Sequence, residues 1–123
     1  MELIKIDKAS LFKRIDDITL LEQDWNGYNA SPISKDIITN AKKVVNILIY
    51  QPEIFPTARN TIQFEYNIGN NRTAYLEIEV YANKYTVLIV YEHNYQSAFQ
   101  DVITNISKLT NVINPFFDIV KTY

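Results

Sequence analysis

Between residues 61 and 68 the chain alternates strictly. Ile62, Phe64, Tyr66 and Ile68 are apolar, while Thr61, Gln63, Glu65 and Asn67 are polar. A period of two predicts a strand with one buried face. The segment 74–81 repeats the pattern, with Ala74, Leu76, Ile78 and Val80 set against Tyr75, Glu77, Glu79 and Tyr81. "GNNR" between the two reads as a turn. After a second turn at "ANKY", the run "YTVLIVYE", Tyr85 to Glu92, is apolar on both faces, as expected of a strand that is covered twice or pairs with a partner. Three strands joined by short turns make an antiparallel meander.

Elsewhere the spacing is helical. From Ser10 to Trp25 the apolar positions Leu11, Phe12, Ile15, Ile18, Leu21 and Trp25 fall on one face, with Asp7 or Ser10 as the N-cap. Gly27 and Pro32 then forbid continuation. A second helix begins at Ser34, whose side chain can cap the amide of Asp36 or Ile37, and its stripe is Ile37, Ile38, Ala41, Val44, Val45, Leu48 and Ile49. "QPEIFP" ends it, because Pro52 and Pro56 bias their predecessors to extended backbone. Tyr95, Phe99, Val102, Ile103, Ile106, Leu109 and Ile113 predict a third helix, broken at Asn114–Pro115, with an apolar tail that docks. The expected fold is a single α+β domain over residues 1–123, in the order α-α-β-β-β-α, its three-stranded antiparallel meander packed on helices.

A turn centred on Asn83 and Lys84 would set Val80 opposite Val87, Ile78 opposite Ile89 and Leu76 opposite Tyr91. Leu88 would then lie beside Glu79 and Val90 beside Glu77 on the outer side. A slip of one residue would bury Glu77 and Glu79, which the desolvation cost of unpaired carboxylates disfavours. The outer face therefore mixes Glu65, Glu77, Glu79 and Glu92 with Tyr75, Tyr81, Leu88 and Val90.

Composition narrows the function classes. The chain has 123 residues, 47% hydrophobic and 21% charged, in the ordinary range for a soluble globular domain. No Cys means no disulfide, thiolate metal site or cysteine nucleophile. A net charge of −2 and a pI near 5.3 argue against a general grip on nucleic acid. The N-terminal segment lacks a signal-peptide pattern and no apolar run is long enough to span a bilayer, so a cytoplasmic protein that does not bind membranes is expected.

The residues for catalysis are sparse. His93 is the only histidine and lies in a polar turn, no nucleophile elbow is present, and two glycines make no phosphate-cradling loop. No catalytic residue, metal ligand or cofactor is assigned. Four carboxylates on one sheet face leave an alternative, a Mg²⁺- or Mn²⁺-dependent hydrolase or nuclease using Glu65, Glu77 and Glu79.

One stretch stands apart. "DWNGYNASPIS", Asp24 to Ser34, holds the only Trp beside one of the two glycines. It fits a corner between the first two helices, with Tyr28 and Pro32 packed on Trp25. Its functional rival is a small-ligand site at Trp25 and Tyr28. This stretch, followed by a helix, "PEIFPTARNTIQFEY" and "YLEIEV", resembles an uncharacterised group of small bacterial proteins. That group carries a W-x-G-y-x-a-x-P-i-s segment, a P-x-i-x-P-t turn and an I-x-l-E-w…L-x-I-E-i strand pair. The likeness covers about Leu21 to Val80. "ARNT" stands where the group has a glycine, and Tyr66 where it often has Trp. The resemblance implies the fold outline and a bacterial or phage origin, and it transfers no catalytic residue.

The leading expectation is a small non-enzymatic interaction protein. It would meet a protein partner, or its own copy as a homodimer, through Glu65, Tyr75, Glu77, Glu79, Tyr81, Leu88 and Val90. An inhibitor, immunity or antitoxin role suits such an acidic face.

Overall fold

The computed structural model describes residues 3–69, 73–91 and 99–123. Glu92, His93 and Tyr95, which figured in the expectations above, lie outside the described residues. The order is α1 (Lys8–Thr19), α2 (Lys35–Ile47), β1 (Glu53–Thr57), β2 (Thr61–Gly69), β3 (Thr73–Val80), β4 (Tyr85–Tyr91), β5 (Phe99–Ile103) and α3 (Ile106–Val120). The α+β class holds, but the antiparallel meander has five strands rather than three, in the spatial order β1-β2-β3-β4-β5.

Asp7 starts α1, its carboxylate accepting the Ser10 amide at 3.2 Å. Leu11, Ile15 and Ile18 then bury one face, and the helix ends at Thr19, so Trp25 belongs to the following loop and not to the helix. In α2 the buried stripe is Ile37, Ile38, Ala41, Val44 and Val45. Ser34 precedes that helix in extended backbone but makes no side-chain cap. Its own amide is held instead by the Asn60 side chain at 3.1 Å.

The two added strands were hidden for different reasons. Pro52 and Pro56 favour a helix-ending turn, yet Pro56 sits on the edge strand β1, where a missing amide costs the ladder little. Arg14 of α1 donates to the Ile54 carbonyl at 3.1 Å and occupies part of the same edge. "FQDVI" falls inside the third helix expected from Tyr95 to Ile113, because a short apolar run fits either period. Asn105 decides otherwise: its side chain accepts the Ser107 amide at 2.8 Å and starts α3 after β5.

Pro115 does not break α3, which runs through it. An interior proline costs about 3 kcal/mol. Burial of Phe116, Phe117 and Val120 against the sheet offsets that loss, at roughly 1.5–3 kcal/mol per large side chain.

All three helices lie on one side of the sheet. Ile54, Ile62, Phe64, Tyr66, Ile68, Leu76, Ile78, Val80, Val87 and Ile89 share one apolar cluster with the inward residues of α1, α2 and α3. Tyr66 lies at its centre, its hydroxyl donating to the Tyr50 carbonyl at 2.6 Å and its ring edge-on to Phe117 at 4.9 Å.

The β3–β4 register differs from expectation. The turn is centred on Ala82 and Asn83 and closed by the Tyr81 amide on the Lys84 carbonyl at 3.0 Å. Val80 therefore faces Tyr85, Ile78 faces Val87, Leu76 faces Ile89 and Ala74 faces Tyr91. The reason lies in α2: the Asn40 amide donates to the carbonyls of Tyr81 (3.0 Å) and Ala82 (2.8 Å), pinning the turn one residue earlier. Moving the turn by one residue shifts the pairing by two, and an even shift keeps every side chain on its face.

Candidate functional site: the open face of the sheet

The side of the sheet away from the helices carries alternate residues of every strand. Because directly paired residues share a face, the pairings define rows across it. One row runs Glu53, Glu65, Glu77, Leu88 and Gln100. The next runs Phe55, Gln63, Glu79, Thr86 and Val102, and beyond the first lies Asn67, Tyr75 and Val90. Acids thus gather on β1, β2 and β3, while Leu88, Val90 and Val102 form an apolar strip on β4 and β5.

All seven residues expected of a partner surface lie on or beside this face. Leu88 stands opposite Glu77 rather than Glu79, and Val90 opposite Tyr75 rather than Glu77. Leu88, Val90, Tyr75, Glu65 and Glu77 are half-buried, consistent with a sheet surface that no helix among the described residues covers. Val102 is 58% exposed. Glu53 and Val102 join the surface only through the two strands missed in the sequence.

The carboxylates differ in their surroundings. Glu79 is only 6% exposed although it is on the outer face. Arg59 Nε donates to it at 2.9 Å and the Thr61 hydroxyl at 2.7 Å. Burial pushes its carboxyl up, but the hydrogen bonds from Arg59 and Thr61 and the Arg59 charge outweigh that, leaving it below the ordinary value. Arg59 is correspondingly held more firmly protonated, first through its hydrogen bond to Glu79. Glu79 is therefore a structural anchor more than a free contact.

Glu77 accepts hydrogen bonds from the Gln63 amide (2.9 Å) and the Tyr75 hydroxyl (2.8 Å). The Tyr75 phenol is pushed up by burial, then by that hydrogen bond and the Glu77 and Glu65 charges. Glu65 receives a long contact of 3.5 Å from the same Gln63 amide. No lysine or arginine pairs with Glu53, Glu65 or Glu77 among the described ion pairs. Among the described residues, no group of three or more His, Cys, Asp and Glu could hold a metal ion.

The Asp24–Ser34 stretch is a knitted loop. Asp24, Gly27 and Asn29 take positive φ of 66°, 76° and 65°. The Asp24 carboxylate accepts the Asn29 amide at 2.7 Å, and the Asn26 side chain accepts the amides of Tyr28 (2.9 Å) and Ala30 (3.1 Å). The Trp25 indole donates to the Ser31 carbonyl at 2.8 Å. Tyr28 is 89% exposed, so the expected packing of Tyr28 on Trp25 does not form. The side chains of Asp24, Trp25 and Asn26 thus spend these hydrogen bonds within the loop.

A shallow cleft of about 370 Å³ lies between α2, the β3–β4 turn and the start of α3, lined by Asn40, Lys43, Lys84 and Asn105 among others. Its two asparagines are committed, Asn40 to the turn and Asn105 to the α3 cap.

Comparison with protein-family models, curated proteins and solved structures finds no match. The likeness of Leu21–Val80 to the group of small bacterial proteins therefore rests on the quoted motifs alone. Among the described residues, no helix is long and apolar enough to cross a membrane.

Proposed function

We propose that this chain is a non-enzymatic protein-docking domain that meets a basic partner through the open face of its sheet. The observation that carries this reading is the row Glu53–Glu65–Glu77, three carboxylates set directly opposite one another across adjacent strands beside an apolar strip. Like charges in that position cost each pair some tenths of a kcal/mol up to about 1 kcal/mol. Stability alone does not select such a row, whereas a cationic partner turns it into a favourable contact and a means of steering. The contact residues are Glu53, Glu65, Tyr75, Glu77, Leu88, Val90 and Val102, with Glu79 and Tyr81 supporting them. An inhibitor, immunity or antitoxin role is of this kind, since a small acidic protein masks a basic site by charge complementarity. A second copy of the chain is the weaker occupant, because it would bring its own carboxylates to the same surface.

A photo-crosslinking side chain placed at Val90, in the cells that make the protein, should trap a protein adduct. The same side chain at Lys13, exposed on α1, should trap none. Absence of an adduct at Val90, or equal yields at both positions, contradicts the reading.

A further inference from the structure

The open face is divided, and the division narrows the partner. We infer that its occupant is a basic amphipathic helix lying along β4, with its apolar stripe on Leu88 and Val90 and its cations over Glu77 and Glu65. The inference rests on the open-face reading above.

Three observations lead to it. First, the apolar residues of β4 and β5 form a strip and not a patch: Leu88 and Val90 follow each other along β4, and Val102 on β5, opposite Thr86, lies diagonal to Leu88, while Phe55 stands apart on β1. Helices are the usual cover for a sheet face, and the opposite face of this sheet is already covered by α1, α2 and α3. Second, the acids lie to one side of that strip. Neighbouring strands are about 4.8 Å apart, so Glu77 on β3 and Glu65 on β2 lie roughly 5 and 10 Å from the β4 axis. A helix about 10 Å across, seated on β4, places Lys or Arg side chains of its flank within reach of both carboxylates. Third, the opposite flank meets Gln100 and Val102 on β5, which carry no charge, so charge is called for on one side only. A loop or strand would supply cations without filling the strip, and a second copy would set acid against acid.

The full chain, isotope-labelled for NMR, is titrated with three synthetic peptides. One is an amphipathic Leu/Lys helix, one the same helix with Glu for Lys, and one a scrambled Leu/Lys sequence with no apolar face. The Leu/Lys helix should move the amide signals of Glu65, Glu77, Leu88 and Val90. Its dissociation constant should rise roughly ten-fold in Glu65→Lys, about 1.4 kcal/mol, and again in Leu88→Ser. The Glu-bearing helix should move none of these signals. Equal binding by the scrambled peptide at the same residues would overturn the helix while leaving a basic docking face. Signals moving only elsewhere, or not at all, also overturn it, and the Val90 adduct then decides separately whether the face docks any protein. Self-association in sedimentation that is lost in Leu88→Lys would overturn it in favour of a second copy.

Discussion

The two faces of this sheet are made by the same strands, residue by residue in turn, yet they follow opposite rules. On the helix side, Phe64, Tyr66, Leu76 and Ile78 are fully buried and the one polar group among them, the Tyr66 hydroxyl, has a partner. On the open side, three glutamates face one another across strands and two branched side chains stay half in water. The helix side is optimised for stability. The open side gives up some stability, except at one corner, where Arg59 and Thr61 hold Glu79. Substitutions on the two sides should therefore differ in size and, at one position, in sign.

The largest effect belongs to the helix side. Phe116→Ala removes a fully buried ring that packs edge-on against Phe117, and should lower stability by about 3–5 kcal/mol in urea unfolding. A loss under about 1 kcal/mol would mean that α3 is not docked on the sheet as described.

Glu79 tests the boundary between the two rules. Removing its charge in Glu79→Gln should cost about 1–2 kcal/mol near neutral pH. Because its folded carboxyl lies below the ordinary value, its contribution is present above that value, about 4.3, and is lost as pH falls through the folded one. Stability measured against pH should accordingly fall less steeply on the acid side in Glu79→Gln than in the wild type. Parallel acid limbs would show that Glu79 is not held as described.

Gly27→Ala addresses the α1–α2 loop. A methyl there meets nothing within 4 Å, but φ is +76°, so about 1 kcal/mol should be lost through the backbone alone. Docking should be unchanged, since this loop contributes no residue to the open face of the sheet.

The smallest expected change has the opposite sign. Glu65→Lys puts a cation between Glu53 and Glu77 and should raise stability by a few tenths of a kcal/mol up to about 1 kcal/mol. Chemical denaturation reads this directly, and a clear loss of stability would show that the row is not strained by repulsion.

What the sequence disclosed follows the same division. Strict alternation in β2 and β3 made their faces legible, and that reading survived an error in the turn, because a shift of two leaves faces intact. Turn chemistry alone did not place Ala82 and Asn83 at the centre, since the deciding hydrogen bonds come from Asn40, 41 and 42 residues earlier in the chain. The edge strands β1 and β5 were not legible: each has only five residues, one carries a proline, and the other merges into a helical period. With them went Glu53 and Val102, the two ends of the open face. The spacing of Trp25 continues the apolar stripe of α1, but the helix ends at Thr19, and the left-handed residues Asp24 and Asn29 that shape the following loop only show their role in three dimensions.

The most direct test is the yield of the Val90 photo-adduct in the Glu65→Lys protein. If the acidic row recruits a basic partner, the adduct disappears while the protein unfolds at the wild-type temperature or above it. An adduct formed at wild-type yield in that background would contradict the account.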